Sequence, residues 1–393
     1  MLTLADYDMS PERGFLSQHN ADEVILSGDL AKVAEIALRL PELLPTGRVR
    51  ELLCARLPET DLPLADMTDA EARMCMVHYA FMVQAYVWGE PKAPDILPRK
   101  LAIPMVALAD HLGQQPLMPY SGYVLDNWAL IDKDDPIDLD NIFMIQNFLN
   151  GQDENWFVLI HVAIEAAAGA ALARFGAIVD ASAAGDINTT RTHLEAVGAT
   201  WNQINAIFDR MPERCDPYIY FERVRPYIHG WKDNPALPNG LIYEGVDRYG
   251  SEAQAFRGQT GSQSSIVPAM DALMGVGHAS DPLREYLDQL HIYRPPAHRR
   301  FIEDTRAASQ LRGFVEAARN HGLTEAYNGI IQSMADFRTR HLEYAASYIN
   351  KQNRAASGND TDVGTGGTPF MRYLKKHRDE TTARLIGAAA NAA

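Results

Sequence analysis

Cysteine is sparse: Cys54, Cys75 and Cys215 are the only three in 393 residues, and none falls in a Cys-x-x-Cys or Cys-x-x-Cys-His spacing. That excludes a disulfide scaffold, a covalently attached c-type haem and a thiolate zinc site. Basic residues are outnumbered: 36 Lys and Arg stand against 51 Asp and Glu, a formal net charge of −15, with no long basic run. No nucleic-acid partner is expected, because such a partner needs clustered cations to meet its phosphates. The glycine-bearing stretches 257–265 and 364–368 lack the Gly-Lys-Ser/Thr ending of a P-loop, and His-Glu-x-x-His is absent, so nucleotide binding and zincin-type hydrolysis lack their motifs. Strand-like runs are few and short, and there is no internal repeat. The opening residues Met1-Leu2-Thr3-Leu4-Ala5-Asp6 carry acid early, with no basic stretch leading into an apolar one. No secretion signal is expected, and a reducing cytoplasm suits the cysteines. The one segment apolar enough to suggest a membrane span, residues 156–179, holds His161, Glu165 and Arg174. Each is costly in lipid, so a helix buried in a soluble domain is expected and no membrane partner.

What remains is helical. Apolar residues at helical spacing predict helices over 29–40, 69–88 (with Thr68 and Asp69 at its cap), 156–179, 193–211, 268–274, 282–290, 312–321 and 325–350. Residues 97–118 form a further apolar stretch bracketed by prolines. The chain is long enough for two domains. The polar break 150–155 sets their expected boundary: a smaller N-terminal domain over 1–150 and a larger helical one over 151–393. Three segments interrupt the helical rhythm, 217–245, 257–265 and 355–368, and in a helical protein such loops are where binding chemistry concentrates.

Several residues are candidates for chemistry. His341 continues the stripe Ile330, Met334, Phe337, His341, Tyr344, Tyr348, which places it on the buried face of its helix. It is either a core histidine bonded to a carbonyl or a metal or haem ligand, since neutral imidazole is the commonest protein ligand for iron. Arg338 lies one turn before it, placed for an anionic group or for solvent. His161 and Glu165 stand at i and i+4, so both project from one face of an apolar helix and each needs a partner there. They form a structural hydrogen bond or a histidine facing a cofactor cavity and oriented by the carboxylate. The paired Glu-x-x-His spacing of a di-iron bundle is not repeated. Arg225 follows Tyr218, Tyr220 and Phe221; a guanidinium beside aromatic rings suits either a surface or an amino-acid substrate whose carboxylate needs a bidentate partner. Ser264 or Ser265 is placed to cap the helix that follows.

Several blocks occur in order and with preserved spacing: Gly230-Trp231-Lys232 with Gly240-Leu241-Ile242-Tyr243-Glu244-Gly245, Ser262-Gln263-Ser264-Ser265 with Asp271-Ala272-Leu273-Met274-Gly275, Arg294-Pro295-Pro296-Ala297-His298-Arg299, the helix 338–348, and Gly364-Thr365-Gly366-Gly367-Thr368. Together they resemble the indoleamine 2,3-dioxygenase family from about residue 97 to the C-terminus, with a looser match before it. The resemblance implies an all-α, two-domain haem dioxygenase fold, with haem b held mainly by the larger C-terminal domain and the N-terminal domain covering the distal pocket. By position it implies His341 as the proximal iron ligand and Arg338 and Asp271 near the haem propionates. It places Arg225 on the substrate carboxylate and Tyr120, Tyr123, Phe157, Tyr220 and Phe221 around the pocket. Thr260 and Gly261 fall on the loop beside the distal face, and Thr368 on the loop that closes over substrate.

Two positions depart from the mammalian pattern. His161 stands where those relatives carry serine, which is similar to the distal histidine of the separate tryptophan 2,3-dioxygenase family, and Tyr220 replaces a phenylalanine. The implied activity is cleavage of the indole C2–C3 bond of L-tryptophan or a related indole to an N-formylkynurenine-type product, as in tryptophan catabolism by the kynurenine pathway. Its partners are dioxygen, the indole and a reductant for ferric haem. His161 takes a positioning or hydrogen-bonding role, with Arg225 and Thr260 as its catalytic companions. Two alternatives stay open: oxygenation of another indole, including single-oxygen insertion, and a haem sensor or carrier in which His161 is a second axial ligand.

Overall fold

The computed structural model describes residues 2–59, 62–278, 282–352, 364–365 and 370–387. The fold is all-α as expected, with strands only two or three residues long. The N-terminal part contributes α1 (Gly28–Leu38), α2 (Val49–Arg56), α3 (Asp69–Trp88) and α4 (Arg99–Leu112). There follow α5 (Gln152–Leu172), α6 (Phe175–Ala183), α7 (Ile187–Asp209), α8 (Ile266–Met274), α9 (Pro282–His291), α10 (Pro296–Ala308), α11 (Leu311–Ala318), α12 (His321–Ala345) and α13 (Phe370–Thr382). Helix α12 packs along α7 and α13, α5 along α7, and α3 along α4. The short strands tie loops together. Ile96–Leu97 runs parallel to Leu241–Tyr243, which pairs with Ala253–Gln254, and Trp128–Leu130 pairs antiparallel with Ile142–Met144.

Local chemistry sets the helix ends. The Thr68 hydroxyl accepts from the Glu71 N–H (3.2 Å) while the Glu71 carboxylate accepts from the Thr68 N–H (2.8 Å), a reciprocal cap that starts α3 where the pattern placed it. The Asn320 side chain accepts from the Leu323 N–H at 3.0 Å and starts α12 four residues before the expected position. The single helix expected over 156–179 is two: it turns at Ala173 and Arg174, both exposed, so the arginine reaches solvent instead of running through the core. By length and composition residues 152–183 would be apolar enough to cross a membrane, but 72% of the window that defines them is buried inside the protein. The stretch 97–118 is helical only to Leu112, where Gly113 (φ +64°) ends it. The segment after Asp216 is not irregular at first. The Asp216 carboxylate accepts from the Tyr218 and Ile219 N–H groups, and the chain winds on through Ile228.

Three wide, five-residue turns of π type occur at Ser121–Leu125, Tyr220–Val224 and Ala346–Asn350. Each presents an aromatic residue (Tyr120, just before its turn, Tyr220 and Tyr348) to one internal cavity. Such turns insert one extra residue and re-aim side chains, and they occur often at functional sites.

The back of α5 is fixed by a contact that only glycine permits. A Cβ on Gly14 (φ +56°) would lie 2.3 Å from the Glu165 carbonyl oxygen, and one on Gly169 would lie 2.4 Å from the Pro11 carbonyl oxygen. The N-terminal segment thus lies directly on the helix that carries His161 and Glu165, with Phe15 and Leu16 buried beside it. Gly169→Ala is expected to lower the unfolding free energy by about 1–3 kcal/mol, because backbone on both sides has to move. Gly329→Ala, exposed on α12 with nothing within 4 Å, is expected to be neutral or stabilising. Equal denaturant midpoints for the two variants would contradict this packing.

Candidate active site

Helices α5 and α12 each contribute one histidine, His161 and His341, to a single cavity of about 280 Å³. Its wall is mainly apolar and aromatic: Phe157, Ile164, Trp201, Phe208, Tyr220 and Phe337 among others. Phe157 packs 4.7 Å from both the Tyr220 ring and the His161 ring, and Phe208 stacks 4.7 Å from Phe337, one turn before His341. Such a lining excludes water and strengthens every polar interaction inside it.

Both imidazoles are held neutral. Burial drives His341 from 6.5 to about 4, with His161 and the Arg338 guanidinium adding to the effect. No hydrogen bond reaches the His341 ring among the described residues, so its lone pair is uncommitted. Burial likewise lowers His161. Its Nδ1 lies 2.7 Å from the Phe157 carbonyl oxygen, which only accepts, so Nδ1 carries the proton and Nε2 is left as an acceptor. That Nε2 lies 3.9 Å from where a Gly261 Cβ would stand, so Gly261 keeps the approach to it open.

Beside His161 is a buried polar group. Glu165 Oε1 accepts from the Tyr120 hydroxyl (2.9 Å) and the Ser264 hydroxyl (2.7 Å), while Oε2 is buried without a hydrogen-bond partner among the described residues. Burial raises Glu165 to about 7, opposed by the Ser264 and Tyr120 bonds and the Arg294 charge. Arg294 is itself buried and donates to the Ser262 and Ser264 carbonyl oxygens (2.7 and 3.2 Å). The Glu165 carboxylate therefore ties the loop 260–264 to α5, and the Arg294 guanidinium ties the same loop to the start of α10. Of the two serines expected to cap α8, Ser264 does so, accepting from the Ile266 N–H at 3.3 Å; Ser265 makes no such bond.

Most of the predicted residues converge here. Tyr120, Phe157, His161, Tyr220, Thr260, Gly261, Asp271, Arg338 and His341 all line the cavity. Thr260 uses its hydroxyl to hold its own turn, accepting from the Ser262 N–H at 3.4 Å. Tyr123, Phe221 and Arg225 do not line it. Tyr123 is buried between Phe81 and Phe157, and Arg225 is fully buried 5.5 Å over the Phe221 ring, close enough for its charge to act on Tyr220. They form the layer behind the wall, because the turn at 220–224 gives the cavity face to Tyr220. Thr368 lies outside the described residues. Its neighbours Gly364 and Thr365 reach the cavity, and the Thr365 hydroxyl donates to the Gln259 carbonyl oxygen at 2.6 Å.

Sequence reasoning passed over other lining residues. Ser264 was expected only to cap a helix, Arg294 stood in a quoted motif without a role, and His278 and His377 were not singled out. The signal for His377 was present: Tyr373, Leu374, His377 and Thr381 recur at helical spacing in a stretch not read as a helix.

A family model described as indoleamine 2,3-dioxygenase matches residues 3–384. Indoleamine 2,3-dioxygenase 1 of Rattus norvegicus is 31% identical, covering 98% of this chain and 96% of its own length. Indoleamine 2,3-dioxygenase 2 of Mus musculus is 31% identical with the same coverage. Indoleamine 2,3-dioxygenase of Saccharomyces cerevisiae is 31% identical over 97% of this chain and 93% of its own.

The Glu165 environment has a pH signature. A carboxyl raised from 4.5 to about 7 binds its proton more tightly when folded, so the unfolding free energy falls as pH rises through that window. Glu165→Gln should remove about 3 kcal/mol of that fall, seen as a flatter pH dependence of stability than wild type between 4.5 and 7.5. Parallel curves would show that Glu165 titrates normally.

Proposed function

We propose that this chain, which belongs to the indoleamine 2,3-dioxygenase family, is a haem dioxygenase that opens the C2–C3 bond of L-tryptophan or a close indole relative. Both atoms of dioxygen end as the two carbonyl oxygens of an N-formylkynurenine-type product. The observation that carries this reading is one water-excluding cavity with an uncommitted neutral imidazole on α12 and an acceptor imidazole on α5.

The residues present fit a haem. His341 offers a neutral lone pair, the wall offers apolar surface for a macrocycle, and Asp271, His278, Arg338 and His377 gather polar groups at one place on that wall. Held by His341, haem b supplies the redox chemistry that activates dioxygen toward the indole. The protein's own contribution is positioning. Phe157, Tyr120 and Tyr220 hold the flat ring, and the His161 Nε2 accepts from the indole N–H, which fixes which edge of the indole faces the reactive centre. Because Nδ1 is committed to the Phe157 carbonyl, His161 acts by this bond and not as a charged group. Thr260 and Gly261 shape the loop beside His161. We assign closure over the substrate to Thr368; Arg225, expected on the substrate carboxylate, stands one layer behind Tyr220 and off the cavity wall, and acts on the site through its charge on Tyr220. A reductant keeps the iron ferrous, and the three free thiols, Cys54, Cys75 and Cys215, suit a cytoplasmic setting.

A second reading has one observation in its favour: both imidazoles line the same cavity, so in a carrier His341 and His161 would together hold the haem. Anaerobic reduction followed by isotopically labelled dioxygen and a panel of indoles separates the readings. The dioxygenase reading predicts both labelled atoms in one product. A single labelled atom indicates mono-oxygenation, and a six-coordinate low-spin ferrous spectrum without product indicates a carrier. Within the panel, N1-methylation of tryptophan should lower kcat/KM about tenfold in wild type and less than about threefold in His161→Ala. Equal penalties in both proteins would remove His161 from indole recognition.

A further inference from the structure

The polar cluster on the α13 side of the cavity carries an inference that rests on the haem reading above. Helix α13 turns Tyr373, Leu374 and His377 to the cavity. The His377 Nε2 is buried and has no hydrogen-bond partner among the described residues. A buried imidazole nitrogen left so costs about 1–3 kcal/mol, which asks for an explanation.

The neighbouring groups are already committed to one another. Arg338 donates to both Asp271 oxygens, at 3.0 and 2.7 Å, and to the Thr381 hydroxyl. His278 lies between two carboxylates, with Nδ1 2.5 Å from Glu380 Oε2 and Nε2 3.3 Å from Asp271 Oδ2. Although burial opposes it, those bonds raise His278 above its ordinary value. Its ring centroid is 4.7 Å from that of His377.

We propose that His377, backed by His278, is a binding site for a carboxylate of the cofactor, a haem propionate. Asp271 and Arg338, the two residues expected there from the resemblance, satisfy each other, and the uncommitted donor on this wall is His377. A macrocycle that is apolar apart from its carboxylates can be buried only where those carboxylates are paired. His278, His377 and Glu380 also place three potential metal-ligand atoms within 4.8 Å of one another. Charge favours the anion over a metal. Among the described residues His278 Nδ1 is already engaged by Glu380, and Arg338 brings a further cation beside Asp271.

The test is haem loss from the ferric holoprotein to excess apomyoglobin, with the haem spectrum as a check on iron ligation. His377→Leu should lose haem about tenfold faster than wild type with unchanged absorption bands. His377→Gln, which keeps an N–H donor at similar reach, should stay within about threefold. With the dimethyl ester of haem, which lacks the anionic oxygens, wild type and His377→Leu should lose cofactor at similar rates. Equal loss of ordinary haem from wild type and His377→Leu overturns the proposal alone. So does a faster loss that is as large for the ester. So does stoichiometric zinc binding to the apoprotein that disappears in His377→Leu and His278→Leu while haem loss is unchanged. A wild-type chain that takes up no haem overturns the haem reading and this inference together.

Discussion

Two imidazoles share one mainly apolar cavity, and burial there keeps both neutral. Burial holds His341 near 4, with His161 and Arg338 adding to the effect, and burial likewise lowers His161. A neutral imidazole has one N–H and one lone pair, so the placement of the proton decides what each ring can do. His161 spends its N–H on the Phe157 carbonyl and turns an acceptor to the cavity; the His341 ring makes no hydrogen bond among the described residues, so its lone pair is uncommitted. The activity proposed for the chain follows from this division, with one ring available to an iron and the other to the N–H of an indole.

Much of the surrounding structure keeps that arrangement rigid. Helix α5 is gripped from behind by the Gly14–Gly169 contact and from the front by Glu165, which collects hydroxyls from Tyr120 and Ser264. Arg294 holds the same loop by its carbonyls, so the distal wall is assembled from three distant parts of the chain around one carboxylate. The wide turns before Arg225 and after Ala345 deliver Tyr220 and Tyr348 to the cavity, and the first of them sets Arg225 and Phe221 one layer back. On the α13 side a different balance holds, in which mutually paired charges leave the His377 Nε2 without a partner among the described residues.

The helices around the site were legible because their stripes are long and regular: α3 begins where Thr68 and Asp69 announce it, and His341 falls on the buried face that its periodicity assigns. Periodicity could not distinguish a ligand from a packed histidine at that position; the resemblance implies the ligand, and the cavity beside the ring is compatible with it. The break at Ala173 escaped notice because an apolar run hides a surface turn, and Arg174 was its one sign. Tyr123 and Phe221 were read as pocket wall, and Arg225 as the partner of a substrate carboxylate, because sequence order carries no information about an inserted turn, which moves a side chain by a layer. Helix α13 was missed because Gly-rich residues precede it and its stripe is short, and with it went His377, whose partners His278 and Asp271 are about a hundred residues away in sequence.

The central claim is that His341 is the residue that holds the iron, and the iron–histidine stretch of the ferrous, haem-reconstituted protein in resonance Raman measures it most directly. The account predicts that band in wild type and in His161→Gly, its loss in His341→Gly, and its return on adding free imidazole to His341→Gly. A band that persists in His341→Gly, or that disappears in His161→Gly instead, would contradict it.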